Sequence, residues 1–367
     1  MPAIAHGSFD RRRVVERVIH DGAGTARGGR STTVGPSGTM RGSMIVRTTQ
    51  LTIPEPFSLR ATALSHGWHE CAPMHWCDAA GCLQVIERDG DMPVRLSMVD
   101  APSRGGQARV RLTVEADEIS DNTLSLMRSR AGVMLRADLD LTGFHALAAE
   151  TPVLKPILSI GAGRLIRSAS MAENIIKTIC GTNVNWAQAV KMINRIAQLG
   201  PYIRNHRNLN AWPTCGEILK AGDDYLLGVA RVGYRTKSIR AFCRSVVDGA
   251  FDPDALDAVA RTESTDVLCK RLTAISGVGP ASAAFLLGLL GRFDKVGVDS
   301  WTIAYTAERY FNGRKPTVRQ VEKLFARYGE WRHLAWWFEQ WQQWETAKSM
   351  LNGGNRHQGP RARRHQA

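Results

Sequence analysis

Asp299 and a pair of glycines about twenty residues before it are the best candidates for chemistry in this chain. Gly277 and Gly279 flank Val278 in a turn too tight for side chains, with backbone free to approach a partner. Leu268, Leu272 and Ile275 recur at helical spacing before the turn, and Pro280 suits the first position of a helix after it. Such a hairpin leaves unpaired N–H groups at a helix start, which is an anion site. A nucleic-acid phosphate fits it without sequence readout. Val296 to Thr302 reads as an extended approach, an N-cap at Asp299, and a helix running to about Tyr310. A carboxylate there sits in the positive end of the helix dipole. Taken alone, Asp299 is most simply a helix cap.

The elements that must hold these residues fall into two regions. Leu83–Ile86, Val94–Met98 and Val110–Val114 read as strands, the last two alternating apolar and polar residues, with a loop predicted from Pro102 to Gly106. Ser120 to Leu135 reads as helix. From about Pro152 onward the pattern is helical. Ser170 with Glu173, and Thr317 with Gln320, have capping-box spacing, and Asn185 can cap a further helix. Trp331 to Trp344 predicts an aromatic helix with Leu334, Trp337, Phe338 and Trp341 on one side. The expected organisation is a Gly-, Ser- and Arg-rich disordered extension over 1–48, with Met40 or Met44 as an alternative start. An antiparallel sheet domain follows over 49–148, then a helical core over 149–352 and a basic tail over 353–367.

The chain has 367 residues and a formal charge of +14, which favours a polyanionic partner, with nucleic acid the default. Seven cysteines without a regular framework fit a reducing cytosol. No apolar run spans a membrane and no secretory signal is present, so a cytoplasmic, nucleoid-associated protein without membrane partners is expected. His69, Cys71, His75, Cys77 and Cys82 crowd a short stretch that could supply zinc ligands, but the spacing matches no knuckle. Free thiols and surface histidines are the simpler reading, and no metal is assigned.

Together the hairpin and Asp299 resemble the signature of the helix-hairpin-helix DNA glycosylase superfamily, on the side of 3-methyladenine glycosylase II and 8-oxoguanine glycosylase. The resemblance covers roughly Leu51 to Gln342 and is strongest from Ser168 onward. It implies an α+β protein, with a TBP-like antiparallel sheet domain followed by an all-α helix-hairpin-helix core. It implies catalysis by Asp299 and contact with the DNA backbone through Gly277, Val278 and Gly279. The run AENIIKTICGTNVNWAQAVKMINRI resembles a helix pair whose turn asparagine, here Asn183, fills the hole left by a flipped nucleotide. Arg231 to Lys237 resembles an element that brings two helices together at Gly233; Arg235 and Lys237 could reach phosphate or equally form a solvated charged face.

Relatives with lyase activity carry a lysine where this chain has Ala281, so a monofunctional enzyme is implied. An alkylated purine is already cationic and leaves readily, which favours that substrate and electron-rich walls around it. Phe285, Trp301 and Tyr234 are the expected pocket residues, with Trp336, Trp337 and Trp341 also available. No cofactor is required. The family's hairpin carbonyls bind a monovalent cation, and no cysteine follows Cys269 to hold an iron–sulfur cluster. The expected partner is damaged double-stranded DNA, bound by a monomer. Two rivals share these features: an oxidised-purine glycosylase with a displaced lyase lysine at Lys295 or Lys270, and a non-catalytic lesion-binding relative.

Overall fold

The computed structural model describes residues 44–344, except 205, 207 and 208, together with 347–350. The predicted extension up to residue 43 and the basic tail lie outside the described residues.

Five strands form one antiparallel sheet: β1 (Ile45–Pro54), β2 (Met74–Cys77), β3 (Cys82–Asp89), β4 (Met92–Arg104) and β5 (Gln107–Ala116), in the order β1-β5-β4-β3-β2. Alternation decides the faces. Leu83, Val85, Leu96, Met98, Val110, Leu112 and Val114 are buried on one side. A helix at Asp121–Met134 covers that side with Met127, Ala131 and Met134, and Ser120 caps it. The first strand begins at Ile45, four residues inside the expected extension.

The expected loop from Pro102 to Gly106 is mostly strand. Ala101 pairs with Arg109 and Arg104 with Gln107, so two residues oppose one in a bulge. Pro102 is tolerated there because a bulge releases it from the hydrogen-bond ladder. The reversal needs only Gly105 and Gly106, both at positive φ.

The helical region includes α1 (Met171–Cys180), α2 (Trp186–Ala197), α3 (Arg235–Val247), α4 (Thr265–Thr273), α5 (Pro280–Leu289), α6 (Ser300–Tyr310) and α7 (Arg332–Trp341), with further helices between them. Its apolar faces and the sheet's inner face belong to one hydrophobic cluster, from Ile53 and Leu112 through Ile175 to Phe338. Asn185 caps α2 through Gln188 N, and Thr317 and Gln320 form the expected capping box.

The other expected box does not form. Ser170 caps α1 through Ala172 N, while Glu173 turns inward to accept from Ser168 Oγ at 2.7 Å and to pair with Lys177 at 2.7 Å. Lys177 is wholly buried, and a buried ammonium requires a counter-charge more than the cap requires a second bond. Among the described residues no helix is long and apolar enough to cross a membrane.

Candidate active site and nucleic-acid interface

The hairpin forms as its residues dictate. α4 buries Leu268 and Leu272 and ends at Ala274, Gly277 adopts φ +86°, and Gly279 caps α5 with Pro280 just inside it. A Cβ on Gly277 would lie 2.9 Å from Ser238 Cβ of α3 and 3.3 Å from Ile179 of α1. The turn therefore needs glycine for conformation and for space. Around Gly279 a Cβ would meet nothing within 4 Å, so that backbone is open to a partner. Val278 is buried, and only its main chain can take part.

Asp299 is exposed at the start of α6, where Oδ1 accepts from Thr302 N at 2.8 Å. Two residues earlier, a Cβ on Gly297 would lie 3.1 Å from the Ala281 carbonyl and 3.2 Å from Trp336. This close passage lays the approach segment along the first turn of α5. Asp299 is thereby held at the same end of α5 as the hairpin. Ala281 offers no amine there. Lys295 is bound to Asp266 at 2.8 Å, which raises its ammonium pKa, and Lys270 is exposed. A cleft of about 340 Å³ opens beside α6, between Ser300, Ile303, Ala304, Ala307 and Lys315.

One turn along α5 from Ala281, Phe285 enters an aromatic recess. Its ring centroid lies 5.4 Å from His66, 5.5 Å from Trp68 and 5.4 Å from Trp337. Trp337 Nε1 donates to the Ser65 carbonyl at 2.9 Å, and Trp68 Nε1 to Asn174 Oδ1 at 2.9 Å. His66 is bonded to the Ile166 carbonyl, and burial lowers its pKa to about 3, so the ring is neutral near pH 7.

Of the expected pocket residues only Phe285 joins this recess. Trp301 is 55% exposed on the outer side of α6, and Tyr234 is 65% exposed at the head of α3. Trp301 lies in the first turn of its helix and Tyr234 caps the start of its own. Trp336 is buried behind Gly297, and Trp341 lies in the core. His66 and Trp68 come from the segment before the sheet's second strand. The only sequence signal for them was the run Ser65-His66-Gly67-Trp68.

Asn183 is exposed in the turn between α1 and α2, at φ +48°, with Nδ2 at 3.5 Å from Tyr234 Oη. Asparagine tolerates this conformation better than most residues. Arg235 is buried, donates to the Thr182 carbonyl and stacks under Tyr234 at 4.6 Å. It holds the turn in place and does not face solvent as expected, whereas Lys237 does. Gly233 was expected to bring two helices together. A Cβ there meets nothing within 4 Å, so glycine is required only for φ +61°.

Ile179, Ser238, Ser276 and Gly277 meet at the hairpin, with Ser238 Oγ and Ser276 Oγ 3.0 Å apart. The Asn183 turn, Tyr234, the hairpin and the start of α5 therefore line one rim. The crowded His/Cys stretch is divided by the sheet: Cys71 is in the core, while His75 and Cys77 are on the other face. Among the described residues no group of three or more such side chains could hold a metal.

No family model matches the chain, and no curated protein matches it in sequence. Solved structures do match in fold. MBOgg1, in complex with a low-affinity DNA ligand, aligns with TM-score 0.62 at 17% identity, covering 84% of this chain and 99% of that one. The 3-methyladenine DNA glycosylase from Archaeoglobus fulgidus aligns with TM-score 0.62 at 16% identity, covering 81% and 99%. The Clostridium acetobutylicum 8-oxoguanine glycosylase/lyase, with double-stranded DNA containing cytosine opposite 8-oxoguanine, aligns with TM-score 0.61 at 14% identity, covering 82% and 97%. The five-stranded antiparallel sheet followed by helices thus has the same overall fold as these DNA glycosylase structures.

Proposed function

We propose that this protein is a monofunctional DNA glycosylase that takes an alkylated purine out of duplex DNA and hydrolyses its N-glycosidic bond. The observation that supports the reading is the passage of Gly297 against the Ala281 carbonyl, which brings the segment leading to Asp299 alongside the first turn of α5, just after the hairpin. As the bond breaks, C1′ and the ring oxygen gain positive charge. The Asp299 carboxylate stabilises that charge and orients the attacking water. The hairpin backbone holds a phosphate through N–H groups at the start of α5. Asn183 enters the space the nucleotide leaves.

Two features favour a cationic base and hydrolysis by water. The cluster around Phe285 is aromatic, its histidine is neutral, and the Lys177 ammonium beside Trp68 is balanced by Glu173 at 2.7 Å. Ala281 supplies no nucleophile, and Lys295 is occupied by Asp266. The test is a panel of duplexes, each with one defined lesion, assayed for base release with and without alkali. The expected result is release of alkylated purines, strand breaks only after alkali, and no adduct trapped by borohydride. A trapped adduct, or release confined to oxidised purines, would overturn this reading. No release from any lesion would make the chain a binding protein.

A further inference from the structure

We propose that Cys77 and Cys82 form a reversible disulfide, making the hairpin between β2 and β3 a site of thiol oxidation independent of the DNA face. The two residues are direct Cα partners at the closed end of the ladder. Met74 and Trp76 of β2, and Leu83 and Val85 of β3, are buried against the core. The alternating positions, His75 with Gln84 and Cys77 with Cys82, therefore share the opposite face. Directly opposed residues in an antiparallel pair have Cα atoms roughly 4.5–5.5 Å apart, inside the range a disulfide spans.

The two thiols differ in access. Cys77 is half-buried, whereas Cys82 is 5% exposed and burial pushes its thiol up. Cys77 therefore meets an oxidant first, and Cys82 resolves the product. With a small-molecule disulfide as oxidant, Cys77 sulfur attacks one sulfur and expels one thiolate. Cys82, losing its proton to solvent, then attacks the Cys77 sulfur and expels the second. One disulfide is reduced to two thiols as one forms in the protein. Cys71 and Cys180 are buried with thiols pushed to about 12, and suit no such reaction. The helical region holds another neighbouring pair, Cys215 and Cys243, both buried.

The test exposes reduced, full-length protein to oxidised glutathione, followed by thiol counting, intact mass and peptide mapping. The expected result is loss of two of the seven thiols, no retained glutathione, a Cys77–Cys82 cross-link, and full reversal by dithiothreitol. Cys77→Ser should abolish the link, and Cys215→Ser should leave it unchanged. Persistent glutathione on Cys77, a link confined to Cys215 and Cys243, or no thiol loss would each overturn the proposal. None of these outcomes depends on whether the protein releases bases from DNA.

Discussion

Replacing Asp299 by asparagine keeps a helix cap and removes a charge, whereas replacing it by alanine removes both. The cap is the bond from Thr302 N to Oδ1 at 2.8 Å, which an asparagine oxygen can accept equally well. Asp299→Asn should therefore lose only the charge–dipole contribution, about 0.3–1 kcal/mol. Asp299→Ala should lose roughly a further 1 kcal/mol from the orphaned N–H. In a chain of this size the alanine variant's summed loss is a fall in Tm of about 2–3 °C.

Catalysis should follow a different pattern. Both variants lose the preorganised negative charge at C1′, so both should slow base release at least about 100-fold, equivalent to ~2.7 kcal/mol. Single-turnover release from a lesion duplex, measured beside thermal melting, checks both. DNA affinity should hold or rise, because a negative charge near phosphate is gone. If the rate followed the melting temperature, with Asp299→Asn near-native and Asp299→Ala slow, Asp299 would be a cap and nothing more. The argument for catalysis would then fail.

The two hairpin glycines should separate as well. Gly277→Ala meets Ser238 and an unfavourable φ of +86°, and should lower stability by about 1–3 kcal/mol. Gly279→Val meets open space and loses only N-cap preference, so melting should fall less than for Gly277→Ala while affinity for damaged and undamaged duplexes falls by the same factor, as a filter-binding series can read. Asn183→Ala should slow base release more than it weakens binding to a stable abasic analogue. The penalty should shrink opposite a mismatch, where less pairing must be broken; equal penalties would leave Asn183 as a turn residue. Stability should also fall in acid. Burial lowers the pKa of His66 to about 3 and of His333 to about 4, so below pH 6.5 the unfolded chain takes up protons that the folded chain refuses. Glu87, pushed up to about 7 by burial, acts in the opposite sense between pH 4.5 and 7. The net loss should therefore concentrate below about pH 5, and a flat denaturation profile from pH 7 to 4 would contradict these burial effects.

Local chemistry was legible in the sequence wherever one residue decides one backbone feature. The turn at Gly277, the helix start at Pro280 and the cap at Asp299 all follow from conformational demands within a few residues. Side-chain direction was less legible. Trp301 and Tyr234 were plausible walls by type and are exposed, and whether such a ring faces a cluster depends on helix phase, which packing against distant elements sets. Glu173 had capping-box spacing and paired instead with Lys177 one helical turn on, because the fold buries that lysine and its charge needs a partner. His66 and Trp68 were missed because they are nearly 220 residues before Phe285 and meet it only through the fold.

That last meeting explains why the sheet and the helices share a core. The helical region supplies the hairpin, Asp299, Phe285 and Trp337, and residues 64–68, just ahead of the sheet's second strand, bring His66 and Trp68 against Phe285. Trp341 Nε1 donates to the Leu64 carbonyl and Trp337 Nε1 to the Ser65 carbonyl, each at 2.9 Å, tying α7 to this segment. Trp68 is tied to α1 through Asn174, with the Lys177 ammonium 5.5 Å from its ring centroid and paired to Glu173. Aromatic rings held by buried N–H bonds lose little further freedom when a planar ligand arrives, so under the proposed function these rings would be preorganised for stacking. Unpairing either partner of the Glu173–Lys177 pair would leave a charge buried behind Trp68, at a cost of about 3–5 kcal/mol. The stability of the core and the shape of the recess therefore rest on the same few buried polar contacts. The sheet is part of the site's construction as well as its support.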